Sequence, residues 1–213
     1  MSKLSTVAYE YIKGNILSTK YPPGTRLTED MIAIELSISR TPVREAFQRL
    51  ASEQVLTLYP SRYAEVTTFD ATRIRRIGAI RLALDMLSVY SCTHNGSVRE
   101  FNELDTLETQ YETAIENDDV AAYIRLECDF HLKITEISKN MDLLRQQENL
   151  YVLIHMILNS RKTSKDELLI KIQEHRQLIK AIRTQDTVTA RQILCKHHQK
   201  THGLSDSFIQ YFD

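Results

Sequence analysis

The chain has 213 residues, 42% of them hydrophobic and 26% charged, and its formal net charge is −1. This is an ordinary globular composition, enough for one large domain or two small ones, and it excludes a bulk polycation, so any nucleic-acid contact must come from a local patch. No apolar run approaches the roughly 20 residues that span a bilayer. The N-terminal MSKLSTVAYEYIKGNIL lacks a signal-peptide core. Cys92, Cys128 and Cys195, odd in number and without CxxC spacing, read as reduced thiols of a cytoplasmic protein.

In chain order, Val7, Tyr11, Ile12 and Ile16 mark a first helix from Val7 to Leu17. TKYPPGTRL reads as a turn, and Thr28 caps a second helix from Glu29 to Leu36. Thr41 followed by Pro42 reads as the cap and first turn of a third helix reaching about Glu53, with Val43, Ala46, Phe47 and Leu50 on one face. VLTLYP and YAEVTTF then form a hairpin about Pro60-Ser61-Arg62.

No proline follows Asp70, and the remaining pattern is helical almost throughout. The expected organisation is a domain over 1–68, a linker over 69–74 running into the next helix, and a helical domain over 75–213. About six helices are expected there. Asp70, Asn140, Asp119 and Asp186 are caps, and Ser97–Glu100 and Ser164–Glu167 are capping boxes. The fold class is mainly α: an N-terminal winged helix-turn-helix and a C-terminal antiparallel all-helical bundle.

In a winged helix-turn-helix the third helix enters the DNA major groove, and its N-terminal residues reach base edges. Arg40 and Arg44 stand at that end, where a guanidinium can take a guanine edge bidentately. Ser39, Thr41 and Pro42 open the helix and offer hydroxyls and backbone N–H groups to phosphate. Arg49, further along, suits the DNA backbone, and Arg62 stands at the hairpin tip. Residues 1–68 hold eight basic against seven acidic groups, so binding must rest on placement and on doubling by a dimer.

The run PGTRLTEDMIAIELSISRTPVREAFQRLASEQVLTLYPSRYAEV resembles the DNA-binding domain of the GntR family of bacterial transcription regulators. Pro23-Gly24, Leu27, Glu29, the run Ser39 to Ala46 and Leu50 fill that family's pattern. Gln54 departs from it where glycine is usual after the third helix, and Tyr63 where a wing glycine is common.

In the second part, Glu127 and His131 lie four apart on the flank of a stripe formed by Leu126, Phe130, Ile134 and Ile137. His175 falls on the stripe Leu168, Ile172, Ile179 and Ile182, and His197 follows Ile193 by four. Each histidine alone is an ordinary core residue of an apolar face. Together, one carboxylate and three imidazoles would suit a divalent ion such as Zn²⁺, or Ni²⁺ or Mn²⁺. The same cluster could serve a helical metal hydrolase with Glu127 or Glu174 as base, although no HExxH, nucleophile elbow or phosphate loop accompanies it. Asp129, two residues on, faces away from His131.

This half resembles the FCD ligand-binding domain of the FadR branch of that family, on the runs Glu127 to His131 and Asn140 to Leu143, Glu174-His175, and His197 22 residues later. The resemblance implies a metal on Glu127, His131, His175 and His197, with Glu127 replacing the usual aspartate. It implies a small organic or sugar acid as effector and a homodimer on a palindromic operator. Arg81 interrupts the stripe Ile77, Leu84, Leu87, and pairs either with Asp85 one turn on or with the effector's carboxylate. His198 and His202 are expected at the surface near a frayed tail, and Cys128 and Cys195 as small core residues.

Overall fold

Ser5, Ala8, Tyr9, Ile12 and Ile16 recur at helical spacing and are the buried face of α1 (Lys3–Leu17). Val7, expected on that face, is 47% exposed, because the helix starts earlier and turns Tyr9 inward instead. The computed structural model describes residues 3–60 and 62–211. It divides into two units, Met1–Phe69 with Met156–Ser160, and Asp70–His155 with Arg161–Asp213.

The first unit continues with β1 (Arg26–Leu27), α2 (Glu29–Leu36), α3 (Arg40–Ser52), β2 (Leu56–Tyr59) and β3 (Tyr63–Val66). Thr28 caps α2 by accepting from Met31 N. Ser37, left-handed at φ 54°, ends it. That tight reversal lets α3 begin sooner than the Thr41-Pro42 pair suggests. Ser39 is the cap, Arg40 the first helical residue, and Pro42 a buried first-turn residue whose missing N–H costs no ladder bond.

The expected hairpin forms, with Leu56 opposite Val66 and Tyr59 opposite Tyr63. Arg26 and Leu27, read as part of a turn, add a third strand antiparallel to β3. Gly24, at φ +86°, makes this bend, and its N–H donates to Val66 O at 2.8 Å. Gln54 has φ 62°, which explains why glycine suits that position.

The second unit holds α4 (Ala71–Asn95), α5 (Val98–Glu116), α6 (Val120–Ile137), α7 (Met141–Asn159), whose last residues belong to the first unit, α8 (Lys165–Arg183), α9 (Thr187–His202) and α10 (Asp206–Gln210). The capping boxes at Ser97 and Ser164 form, as do the caps at Asp70, Asp119 and Asp186. Asn140 accepts from Leu143 N at 3.0 Å. The short α10 makes seven helices among the described residues of this unit, where about six are expected. The apolar core runs from Leu82 and Val89 through Leu104, Phe130 and Ile134 to Ile182 and Leu194. Each such side chain contributes about 1.5–3 kcal/mol on burial.

Two expectations for this unit are corrected. The inward face of α4 is Ile77, Arg81, Leu82, Asp85, Ser88, Val89 and Cys92, whereas Leu87 is 45% exposed and Leu84 only partly buried. Hydrogen bonds to Asp85 and Ser88 from α7 turn the polar side of the helix inward. His198 and His202 are buried, at 0% and 2% exposure, because α9 stays helical to His202 and Leu204 and Ile209 of the following segment are themselves buried. Gly78 makes room for His202: a Cβ there would stand 2.3 Å from His202 Cβ.

Gly78→Ala gains about 1 kcal/mol of helix propensity but forces α9 off α4, an overpacking cost of about 1–3 kcal/mol. The expected net result is a lower unfolding midpoint in denaturant. A midpoint equal to or above the parent's would refute the close approach of α4 and α9.

Candidate functional site

In the first unit, Arg40, Arg44 and Gln48 fall at i, i+4 and i+8 on α3 and line one groove of about 760 Å³. The first turn of α2 and the wing residues Tyr59, Arg62 and Tyr63 close its sides. Ser39 and Thr41 are exposed at the leading end of the helix, and Arg62 is exposed on the wing. Arg44 forks onto Glu29, Nε to Oε1 at 2.8 Å and Nη2 to Oε2 at 2.7 Å, and Arg40 pairs with Asp30.

Arg49 lies elsewhere. Its guanidinium stacks 3.5 Å from the Tyr9 ring centroid and donates to Glu53 Oε1 at 3.0 Å, while Tyr9 OH donates to Glu53 Oε2 at 2.7 Å. It therefore ties α1 to α3 through a cation–π contact and does not line the groove that Arg40 and Arg44 share. Gln48 was missed, although its spacing from Arg40 and Arg44 marks it.

In the second unit, Glu127, His131, His175 and His197 present one ligand atom each, all within 4.8 Å of one another, and every one of the four is buried. His197 Nε2 is 3.3 Å from Glu127 Oε1, and His175 Nε2 is 3.7 Å from Glu127 Oε2. Behind each imidazole stands a carboxylate. His175 Nδ1 is 2.9 Å from Glu108, His197 Nδ1 3.0 Å from Glu174, and His131 Nδ1 3.3 Å from Asp85. A carboxylate at Nδ1 fixes the tautomer and leaves the Nε2 lone pair facing the cluster. Asp129 does pair with Arg125 on the outer face.

A divalent ion fits this set on two observations. Glu127 Oε2, His131 Nε2 and His175 Nε2 are buried without a hydrogen-bond partner among the described residues, a costly state unless something else fills it. Four buried carboxylates, Asp85, Glu108, Glu127 and Glu174, also gather around the fully buried cation Arg81, while Lys171, 3.4 Å from Glu127, and Lys200, 3.6 Å from Glu174, reach them from partly exposed positions. Burial, reinforced by Arg81, holds the His131 imidazole neutral, as a ligand requires. Burial opposes ionisation of Glu127, but the Lys171 charge and the His197 contact outweigh it and keep its carboxyl well below the usual range.

Arg81 has no solvent exposure. Its Nε lies 3.4 Å from Asp85 and 3.2 Å from Tyr151 OH, and its Nη1 3.3 Å from His202. Nη2, 3.7 Å from Glu127 Oε1, has no hydrogen-bond partner among the described residues. Asp85 and His198 adjoin this group, with His198 Nε2 2.9 Å from Asp85 Oδ2, and burial lowers the His198 pKa to about 3. Cys128 and Cys195 are buried as expected, and burial pushes the Cys128 thiol up, which keeps it protonated. Glu108 was missed, though it interrupts the apolar stripe Leu104, Tyr111, Ile115 of α5 as the histidines interrupt theirs.

Comparison with known proteins places both units. Residues 4–65 match the model for bacterial regulatory proteins of the gntR family, and residues 76–200 match the FCD domain. The chain is 27% identical to the HTH-type transcriptional regulator YdhC of Bacillus subtilis over 89% of this chain and 85% of that one. It is 28% identical to the gluconate operon transcriptional repressor of the same organism, over 97% and 86%. Among solved structures, E. coli McbR/YncC superposes with a TM-score of 0.83 at 25% identity over all of both chains. These relatives are named as transcription regulators and not as enzymes, which removes the hydrolase reading. The chain belongs to the GntR family of bacterial transcription regulators, in the FadR branch that carries an FCD domain behind a DNA-binding winged helix.

Proposed function

We propose that this cytoplasmic regulator binds its operator as a homodimer, under control of a small carboxylic acid held in a metal-containing pocket of the FCD domain. The observation that carries the reading is the set of orphaned, buried donor atoms on Glu127, His131 and His175, each histidine backed by a carboxylate at Nδ1. Glu127, His131, His175 and His197 would hold the ion, and the three-nitrogen, one-oxygen set suits Zn²⁺ with Ni²⁺ or Mn²⁺ as alternatives. When bound, the ion supplies a positive anchor for an acid anion. Arg81 supplies the second anchor, its unpartnered Nη2 lying beside Glu127. The gluconate operon repressor among the relatives is named for a sugar-acid operon, which agrees with an acid effector here.

A two-fold dimer would read a palindrome, since the symmetry of the protein is mirrored in its half-sites. The effector would regulate only by binding the DNA-competent and DNA-incompetent arrangements with different affinity.

Elemental analysis of purified, untagged protein should find about one metal per chain. His175→Ala combined with His197→Ala should abolish it while the far-ultraviolet spectrum stays helical. Undiminished metal in that double variant would place the ion elsewhere and defeat the assignment.

In a thermal-shift screen of small carboxylic acids, an acid should raise the melting temperature only before chelator is added. Arg81→Ala would strand Asp85, so Arg81→Lys is the informative variant, keeping the charge and losing the planar fork. It should retain metal and weaken the acid response roughly tenfold. An acid response equal to the parent's would remove Arg81 from the effector site.

A further inference from the structure

The groove of the DNA-binding unit contains two arginine–carboxylate pairs, and they differ in kind. Arg44 meets Glu29 side-on through two hydrogen bonds at 2.8 and 2.7 Å, from Nε and Nη2. Arg40 meets Asp30 through Nε, with both side chains more than half exposed and no forked hydrogen bond like that of Arg44 among the described contacts. Glu29 is the more enclosed acid, its side chain 28% exposed against 54% for Asp30. It is also the first residue of α2, behind the Thr28 cap, so its backbone is fixed and its charge suits the helix N-terminus.

The side-on fork uses the Nε–H and one Nη2–H. The end of the guanidinium keeps one Nη1–H and the other Nη2–H, parallel and facing away from Glu29. Guanine offers N7 and O6 on its major-groove edge, the match for such a pair. A free arginine must give up much rotamer freedom when it reaches a base, whereas a guanidinium already held in plane gives up less. The same carboxylate repels phosphate, so it lowers affinity for DNA in general. A fork that weakens indiscriminate binding and stiffens one base contact acts on selectivity.

We infer that Glu29 is a specificity-determining residue: it accepts the side-on fork of Arg44 and aims the remaining N–H pair at one guanine in each half-site, while Asp30 only screens Arg40. The inference rests on the DNA-binding role of the family and does not depend on the metal or the effector.

The test uses the full-length protein and a randomised double-stranded DNA library, with bound sequences read out for the parent, Arg44→Ala, Glu29→Gln and Asp30→Asn. Arg44→Ala should erase preference for guanine at one position per half-site. Glu29→Gln, nearly isosteric and unable to accept both N–H groups as a carboxylate does, should reduce that same preference roughly tenfold. Preferences elsewhere should persist, and binding of the unselected library should hold or rise. Asp30→Asn should raise binding of all sequences alike and leave the profile unchanged. Melting temperatures of the variants separate folding defects from recognition. An unchanged profile for Glu29→Gln, or a loss spread evenly over all positions, would overturn the inference. So would an Arg44→Ala profile with no guanine position missing, since Arg44 would then be a phosphate contact.

Discussion

A carboxylate almost sealed from water stands where four helices of the FCD domain meet. Asp85 of α4 faces Arg81 of its own helix, His131 of α6, Gln147 and Tyr151 of α7, and His198 of α9. Taking such a charge out of water costs several kcal/mol unless it is matched on all sides. The hydrogen-bonding groups around it, from His131 and His198 in particular, outweigh the burial and hold Asp85 ionised. The requirement to satisfy one buried anion thus sets the rotation of α4, the inward turn of α9 and the aim of His131 Nε2 towards Glu127. Replacing the whole group by apolar residues would give a bundle of comparable stability with no reason to gather imidazoles.

The arginines of this protein show how placement decides what one side chain does. Arg81, without water, is a structural cation that must be paired, and its Nη2 has no hydrogen-bond partner among the described residues. Arg49 spends its planar face on Tyr9 and its Nε on Glu53, and so belongs to the packing of the head. Arg40 and Arg44 are exposed, and their ion pairs contribute little to stability because water and salt screen them. That same weakness leaves their outward N–H groups available to DNA. A net charge near zero over the whole chain is compatible with DNA binding because a local patch suffices, and Arg40, Arg44 and Arg62 share one groove.

Most helix starts in this chain carry a capping side chain, whereas most helix ends lack the residue type that usually marks them. A start is marked by an oxygen-bearing side chain that accepts a backbone N–H two or three residues on, a local event, and Thr28, Asp70, Ser97, Asp119, Ser164 and Asp186 all act so. Ends usually announce themselves by glycine in the left-handed conformation. Here Thr19, Ser37, Gln54, Asp118, Lys139 and Gln185 take that conformation just past a helix, so the stop signal is absent from the residue type. The early start of α3 and the overlooked strand at Arg26 follow from such turns, and from a pairing with Ala64 and Glu65 far along the chain.

By itself the sequence determined the family, the winged helix, the helical bundle, the leading-end arginines and the four residues Glu127, His131, His175 and His197 that share a buried cluster. These are carried by periodicity, by caps and by motif residues at fixed spacing, all of which act over a few residues. Only the tertiary structure decided which carboxylate backs each histidine, that His198 and His202 are interior, that Arg49 faces Tyr9, and that Glu29 holds Arg44. Those outcomes depend on pairs 15 to more than 100 residues apart, such as Glu29 with Arg44 and Arg81 with His202. Helix spacing says which side of a helix a residue occupies, but not which helix it meets. The need to satisfy every buried charge settles the partner, and that need exists only once the helices have packed.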